Sequence, residues 1–229
     1  VVGTPVSAIK GFESLTAVPT LTANHTLVND KADGVSRIVL VAVTAIDPYI
    51  NSEFVWYGGT LMHAAVETKT NEMPGSYAGI FYLLDSELPA TGGTYQVKVQ
   101  FSNSLQNGTG GFTVSEFQNV QQTPSPFVTT TAQSSDANCG TPSTRSVAFT
   151  FSQAGSFAYA VIGARQGTSA TAVPGTVTET MNLYQNQPSP LAALAGYKGP
   201  IDSNSTLSWS MSNCPNNAGA GVVLKRLGD

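Results

Sequence analysis

The residues able to do chemistry in this chain are few and scattered. His25, in the run TANHTL, and His63, after Leu61-Met62, are the two histidines. Neither has an Asp, Glu or Cys at ligand spacing, so each reads as a surface or hydrogen-bonded histidine. Glycoside cleavage needs two carboxylates facing each other across a cleft. The acids Glu53, Glu67, Glu72, Asp85, Glu87, Glu116, Glu179 and Asp202 are dispersed, with no strand-borne cluster. A pair assembled from distant strands, as in β-sandwich lyases and hydrolases, stays open as an alternative. No G-x-S-x-G elbow, H-E-x-x-H, P-loop or dinucleotide fingerprint occurs. The run NDKADG (29–34) holds two Asp near a Gly but lacks the alternating ligands of a calcium loop, and reads as a hairpin turn. The expectation is therefore no catalytic residue, no cofactor, no metal ligand and no enzyme activity.

Two cysteines remain, Cys139 and Cys214, in the polar, turn-like contexts NCGTP and NCPNN. With no adjacent His, a metal site or a Cys–His nucleophile is not indicated. Buried thiols favour apolar surroundings, so a disulfide is expected, two free thiols being the alternative. It implies an oxidising compartment. It would close a loop of about 75 residues and contribute up to about 4 kcal/mol in the chain-entropy model. Asn24, Asn107 and Asn204 each open an N-x-Thr acceptor pattern. The matches are no more than chance supplies, but Asn107 falls at a turn tip and Asn204 in a loop. The tract TTTAQSS (129–135) is a compositional candidate for O-linked sugars. Trp56, Tyr57, Tyr184, Tyr197 and Trp209 either form a sugar-stacking face or fill the core.

Composition sets the surroundings for these residues. Only 10% of the 229 residues are charged, against about 25% in an average soluble protein. Ser, Thr, Asn, Gln and Gly must supply most of the polar surface, which points to a secreted or extracellular-surface protein. The 41% hydrophobic content supports a core. A net charge of -4 and ten scattered Lys and Arg argue against a nucleic-acid partner. No apolar run reaches the length of about 20 residues that crosses a bilayer, so no membrane span is expected. A first residue of Val is compatible with signal removal and equally with a trimmed chain.

The elements that must position everything are strands. RIVLVAVTAI (37–46) is a β-branched run of core-strand length, and YAGIFYLLD (77–85) is a second central strand. EFVWYGGTLMHAAV (53–66) reads as two pieces bent at Gly58-Gly59. In GTYQVKVQFS (93–102), Tyr95, Val97, Val99 and Phe101 share one face, and Gln96, Lys98 and Gln100 the other. GGFTVSEFQNV (110–120) follows. Residues 121–145, rich in Pro, Ser and Thr, read as a connection with a short strand at FVTTTA. SVAFTFSQ, SFAYAVIGAR, TVTETMNLYQ, SPLAALAGYKG, STLSWSMS and AGAGVVLKRL continue the series. Ala192–Ala195 is the sole short helical candidate.

The two halves match: RIVLVAVTAI with SFAYAVIGAR, YAGIFYLLD with PLAALAGYKG, TYQVKVQFSN with TLSWSMSN, and GFTVSEFQNV with GAGVVLKRL. An internal duplication is the favoured reading, chance threading of two β stretches the alternative. The expectation is an all-β, antiparallel β-sandwich or jelly-roll-like fold in two related halves. Residues 1–10 form a strand-like extension, 11–120 the first half, 121–145 the connection and 146–229 the second half.

The opening VVGTPVSAI is apolar and strand-like, and Lys, the usual edge blocker, is scarce. Strand addition to a neighbour needs such a segment. In architecture the chain resembles the donor-strand pilins and thread-like fibre subunits of bacterial and archaeal surfaces. It also resembles the tandem β-sandwich modules of surface and phage structural proteins, through Tyr57-Gly58-Gly59-Thr60-Leu61, Tyr82-Leu83-Leu84 and the run GTYQVKV (93–99). The resemblance implies a non-enzymatic subunit of an extracellular filament or surface assembly. Its partners would be copies of itself, and glycans are further candidates. Val1, Val2, Val6 and Ile9 are the subunit-contact candidates. The alternatives are a carbohydrate-binding or adhesive module and a polysaccharide lyase or hydrolase.

Overall fold

A computed structural model describes residues 7–15, 20–47, 53–71, 75–101, 108–135, 143–165, 170–185, 191–211 and 216–228. The first half contains β1 (Ser7–Leu15), β2 (Thr20–Leu27), β3 (Ile38–Asp47), β4 (Glu53–Tyr57), β5 (Thr60–Leu61), β6 (His63–Lys69), β7 (Gly75–Leu84), β8 (Gly93–Phe101) and β9 (Gly108–Phe117). The second contains β10 (Phe127–Ser135), β11 (Ser143–Phe149), β12 (Ser156–Arg165), β13 (Ala170–Ala172), β14 (Thr178–Gln185), β15 (Leu191–Ile201), β16 (Ser205–Met211) and β17 (Asn217–Leu224). The described strands form four antiparallel sheets, an all-β sandwich architecture as the alternating patterns require.

Each half contributes one inner and one outer sheet. The inner sheets run β1-β9-β3-β7-β6 and β10-β17-β12-β15-β14; the outer sheets run β2-β8-β4-β5 and β11-β16-β13. The four strand pairs matched by sequence, β3 with β12, β7 with β15, β8 with β16 and β9 with β17, hold the same places in the two sets of sheets. The halves therefore share one strand order.

Side-chain parity explains the layers. Along β3, Val39, Val41, Val43 and Ala45 face the outer sheet and join Leu21, Val55, Val97 and Val99 in one core. Ile38, Leu40, Ala42 and Ile46 face the other way, into a core shared with Tyr159, Val161, Ala193, Ala195, Ala220 and Val222 of the second half. The second half repeats the pattern: Ala158, Ala160 and Ile162 pack on Leu207 and Trp209 of its outer sheet. The molecule is thus a stack of outer, inner, inner and outer sheets. The central inner strands β3, β7, β12, β15 and β17 are covered on both faces, which is why they read as continuous apolar runs rather than alternations. Outer strand β8 alternates, with Val97, Val99 and Phe101 buried and Gln96 exposed.

Four readings of the sequence are refined. NDKADG is not a hairpin: β2 pairs with β8, whereas β3 pairs with β7 and β9, so the segment crosses between sheets. It does so through a 3-10 turn at Lys31–Asp33 that Gly34 ends at φ 67°. The chain from Thr60 to Lys69 also changes sheet, at buried Met62, giving β5 in the outer sheet and β6 in the inner one. Ala192–Ala195 lies in β15, where alternate small side chains face two different cores. In the connection, the strand extends over all of Phe127–Ser135 and pairs with β17. Gly58 and Gly59, both at positive φ (56° and 88°), make the two-residue turn that closes β4 on β5.

Candidate functional site

Most polar groups named from the sequence sit in structural roles. His25 is fully buried, and its Nδ1 shares a 2.8 Å hydrogen bond with the Tyr57 hydroxyl. Burial pulls the imidazole pKa down to about 4. Burial first, and then the charge of Glu116, push the Tyr57 phenol up. Glu116 is itself buried and accepts a 2.9 Å bond from the Val28 N–H. Beside them lies Arg37, buried and donating from Nε to Asp85 at 2.5 Å and from its other nitrogens to the Asn29 and Pro89 carbonyls. General acid–base work requires reach to a substrate proton. His25, Tyr57 and Glu116 expose no surface, so they fasten the end of the first sandwich.

Four of the remaining acids are likewise engaged one by one. Glu67 accepts from the Tyr77 hydroxyl at 2.6 Å, and Glu87 pairs with His63 Nε2 at 2.5 Å. Asp202 accepts from the Gly155 N–H, and Glu179 from the Asn182 amide. Glu53 opens β4, and Glu72 lies outside the described residues. No three His, Cys, Asp or Glu side chains converge as a metal site among the described residues.

The aromatics divide cleanly. Tyr57 and Trp209 are core residues, and Tyr197 packs against the core between the inner sheets. Tyr184 lies in β14. Trp56 differs. Residues 53–57 alternate, so Val55 and Tyr57 point into the core while Phe54 and Trp56 point outward. Phe54 is 45% exposed. The Phe54 and Trp56 rings lie 5.9 Å apart at 36°. Lys98, directly opposite Trp56 in β8, places its ammonium 4.7 Å from the indole centroid. A cation over an indole holds it with about 0.5–1 kcal/mol at an exposed site. Gln96, Gln100 and Asn24 belong to the same outward set. The result is a tilted, outward-facing aromatic pair in a field of amides, able to stack on a sugar ring whose hydroxyls meet the amide groups. Phe54 and Lys98 were not singled out for this role from the sequence. The signal was present in the alternation of EFVWY, which puts 54 and 56 on one face.

Asn24 is exposed in β2, opposite Gln96. Asn204 is exposed too, its Oδ1 accepting from the Phe151 N–H at 2.8 Å. Asn107, Cys139, Cys214, Val1, Val2 and Val6 lie outside the described residues. Ile9 lies in β1, where its backbone is registered with Val114 of β9 in the same chain. The chain matches no family model and no curated protein sequence.

Proposed function

We propose that this protein is a non-enzymatic structural subunit of an extracellular filament or surface assembly, which polymerises by adding its N-terminal strand to a neighbouring copy. The observation that carries the reading is the slot beside the last strand of each half. Beside β17 that slot holds β10, supplied by the segment joining the halves. Beside β9 the matching slot holds β1. β1 is an edge strand, and β9 needs a strand there whichever copy supplies it. Exchange replaces the ladder from Ser7↔Glu116 to Leu15↔Gly108 by the same ladder between copies. It therefore changes little in contact energy while linking subunits.

Cysteine replacement at Ile9 and Val114, with Cys139 and Cys214 changed to Ser, tests this. Oxidised assemblies should run as an intermolecular ladder; closure within single chains only would overturn it. Deletion of residues 1–10 that left assembly unchanged would do the same. A Cys139–Cys214 disulfide belongs to this reading. Ser135 pairs with Asn217 and Ser143 with Met211, so the two cysteine-bearing segments start and end at paired strands. The unreduced protein should weigh less than the reduced one by two hydrogen atoms.

A second reading, a carbohydrate-binding or adhesive module, is favoured by the Phe54–Trp56–Lys98 platform. Trp56→Ala should abolish binding on a glycan array while lowering the melting temperature by only about 2–4 °C, as expected for loss of its contact with Lys98. Equal binding by the variant would remove the platform from consideration. Exposed Asn24 and Asn204 are the positions at which native material would carry N-glycans, read by the mass of the corresponding peptides.

A further inference from the structure

Between the edges of β10 and β11 the second half has a cleft of about 190 Å³, lined by Gln133, Ser134, Ser135, Thr144, Arg145, Ser146 and Asn217. Its lining carries no apolar side chain. Two of its donors are unused. Asn217 is only 2% exposed, and its Nδ2 has no hydrogen-bond partner. Arg145 Nε is buried and also without a partner. Burial without a compensating charge lowers the pKa of the guanidinium. A buried donor left unsatisfied costs about 1–3 kcal/mol, more when charged. Such groups are completed by ordered water, an ion or a ligand.

The walls are fixed in place. The Gln133 amide donates to the Ser146 carbonyl across the cleft, and Ser146 Oγ is 2.7 Å from Ser208 Oγ. Asn217 is held in β17, registered with Ser135 of β10 and Ala164 of β12. The site therefore offers a cationic donor and a fixed amide donor, both without partners, with the exposed Ser134 and Thr144 hydroxyls at its rim.

We infer that this cleft binds a carboxylate-bearing sugar, a single uronic-acid unit of an acidic polysaccharide. The guanidinium of Arg145 and the amide of Asn217 meet the carboxylate, and the exposed Ser134 and Thr144 hydroxyls meet the ring hydroxyls. An acidic protein side chain satisfies the first contact but leaves the Ser134 and Thr144 hydroxyls of the rim unused. An apolar ligand satisfies neither. The site is in the second half, apart from the Phe54–Trp56 platform in the first, and does not rest on it.

The test is titration of the full chain with glucuronate and galacturonate, followed by NMR at the Arg145 Nε–H and the Asn217 amide. Both resonances should shift saturably. Glucose should bind at least about tenfold more weakly, as expected for loss of one charge-assisted contact. Arg145→Gln should lower uronate affinity by a similar factor. Thr144→Trp, at an exposed lining position, should block the site without touching the core. The inference fails if no saturable shift is seen, or if glucose binds as tightly as the uronates. It also fails if both variants bind like the parent. Acetate or a glutamyl peptide binding as tightly as glucuronate would make the cleft a site for a bare or protein carboxylate, overturning the sugar assignment.

Discussion

At the scale of single residues, two buried groups govern stability at the end of the first sandwich. Arg37 is spent entirely on Asp85 and on the carbonyls of Asn29 and Pro89, so it ties the entry of β3 to two crossing loops. Arg37→Ala leaves Asp85 and the carbonyls without their donor, and should destabilise by about 3–5 kcal/mol. Denaturant unfolding reads this directly. Arg37→Lys should recover only part, because one ammonium cannot reach three divergent acceptors. His25 makes stability depend on pH. Its folded pKa is about 4, below the unfolded value of 6.5, so the unfolded chain takes up the proton first. The stability that neutral His25 provides is complete above about pH 6.5 and falls as pH drops towards 4. The loss across that window is about 3 kcal/mol. His25→Gln should flatten this part of the profile; denaturation midpoints that keep the full slope would assign it to other groups.

At the scale of elements, glycines mark where strands meet side chains of the next layer. A Cβ on Gly221 in β17 would lie 2.4 Å from the Phe149 ring of the facing sheet. Gly221→Val should therefore force the outer sheet of the second half away and destabilise by about 1–3 kcal/mol or more, visible as a lower melting temperature. Asp33→Ala, which removes the carboxylate that accepts from the Asp30 N–H in an exposed turn, should cost less, about 0.5–1 kcal/mol. Legibility in the sequence follows the same logic. RIVLVAVTAI and SFAYAVIGAR were readable as core strands because burial on both faces leaves no polar position to confuse the pattern. The Tyr95–Phe101 alternation was readable because one face is wet. What escaped was sheet membership. NDKADG has the composition of a hairpin turn, but whether two strands pair or pass to opposite sheets is decided by distant partners, here β8 for β2 and β7 with β9 for β3. The cleft escaped for the same reason. Arg145 and Asn217 are 72 positions apart and meet only because their two strands each occupy a place in the second sandwich.

At the scale of the whole molecule, the two halves meet as the subunits of a symmetric dimer do. β3 packs on β12, β7 on β17, β9 on β15, β6 on β10 and β1 on β14. Under the match between halves, this is a self-complementary interface: each pair has its exchanged counterpart, as around a two-fold axis. The central contact is close. A Cβ on Gly163 would lie 2.0 Å from Thr44 Oγ1 and 2.9 Å from the Tyr77 carbonyl oxygen. Small residues line the same seam, Ala42 and Ala78 on one side and Ala193, Ala195, Ala218 and Ala220 on the other. Aromatics close one end, with Phe117 against Phe157, Tyr159 and Tyr197. Unfolding one half would expose the apolar inner face of the other, so the halves should unfold together in one transition. Trp209 is fully buried in the second half, and Trp56→Phe leaves it as the sole indole. Its fluorescence then reports the second half, and amide hydrogen exchange in β8 reports the first. The two midpoints should coincide. Gly163→Val, a change made in β12, should lower both by the same amount, because the wedge acts on the seam. A first-half midpoint left in place while the second falls would mean that the halves are independent sandwiches in contact, and that the seam adds no cooperativity.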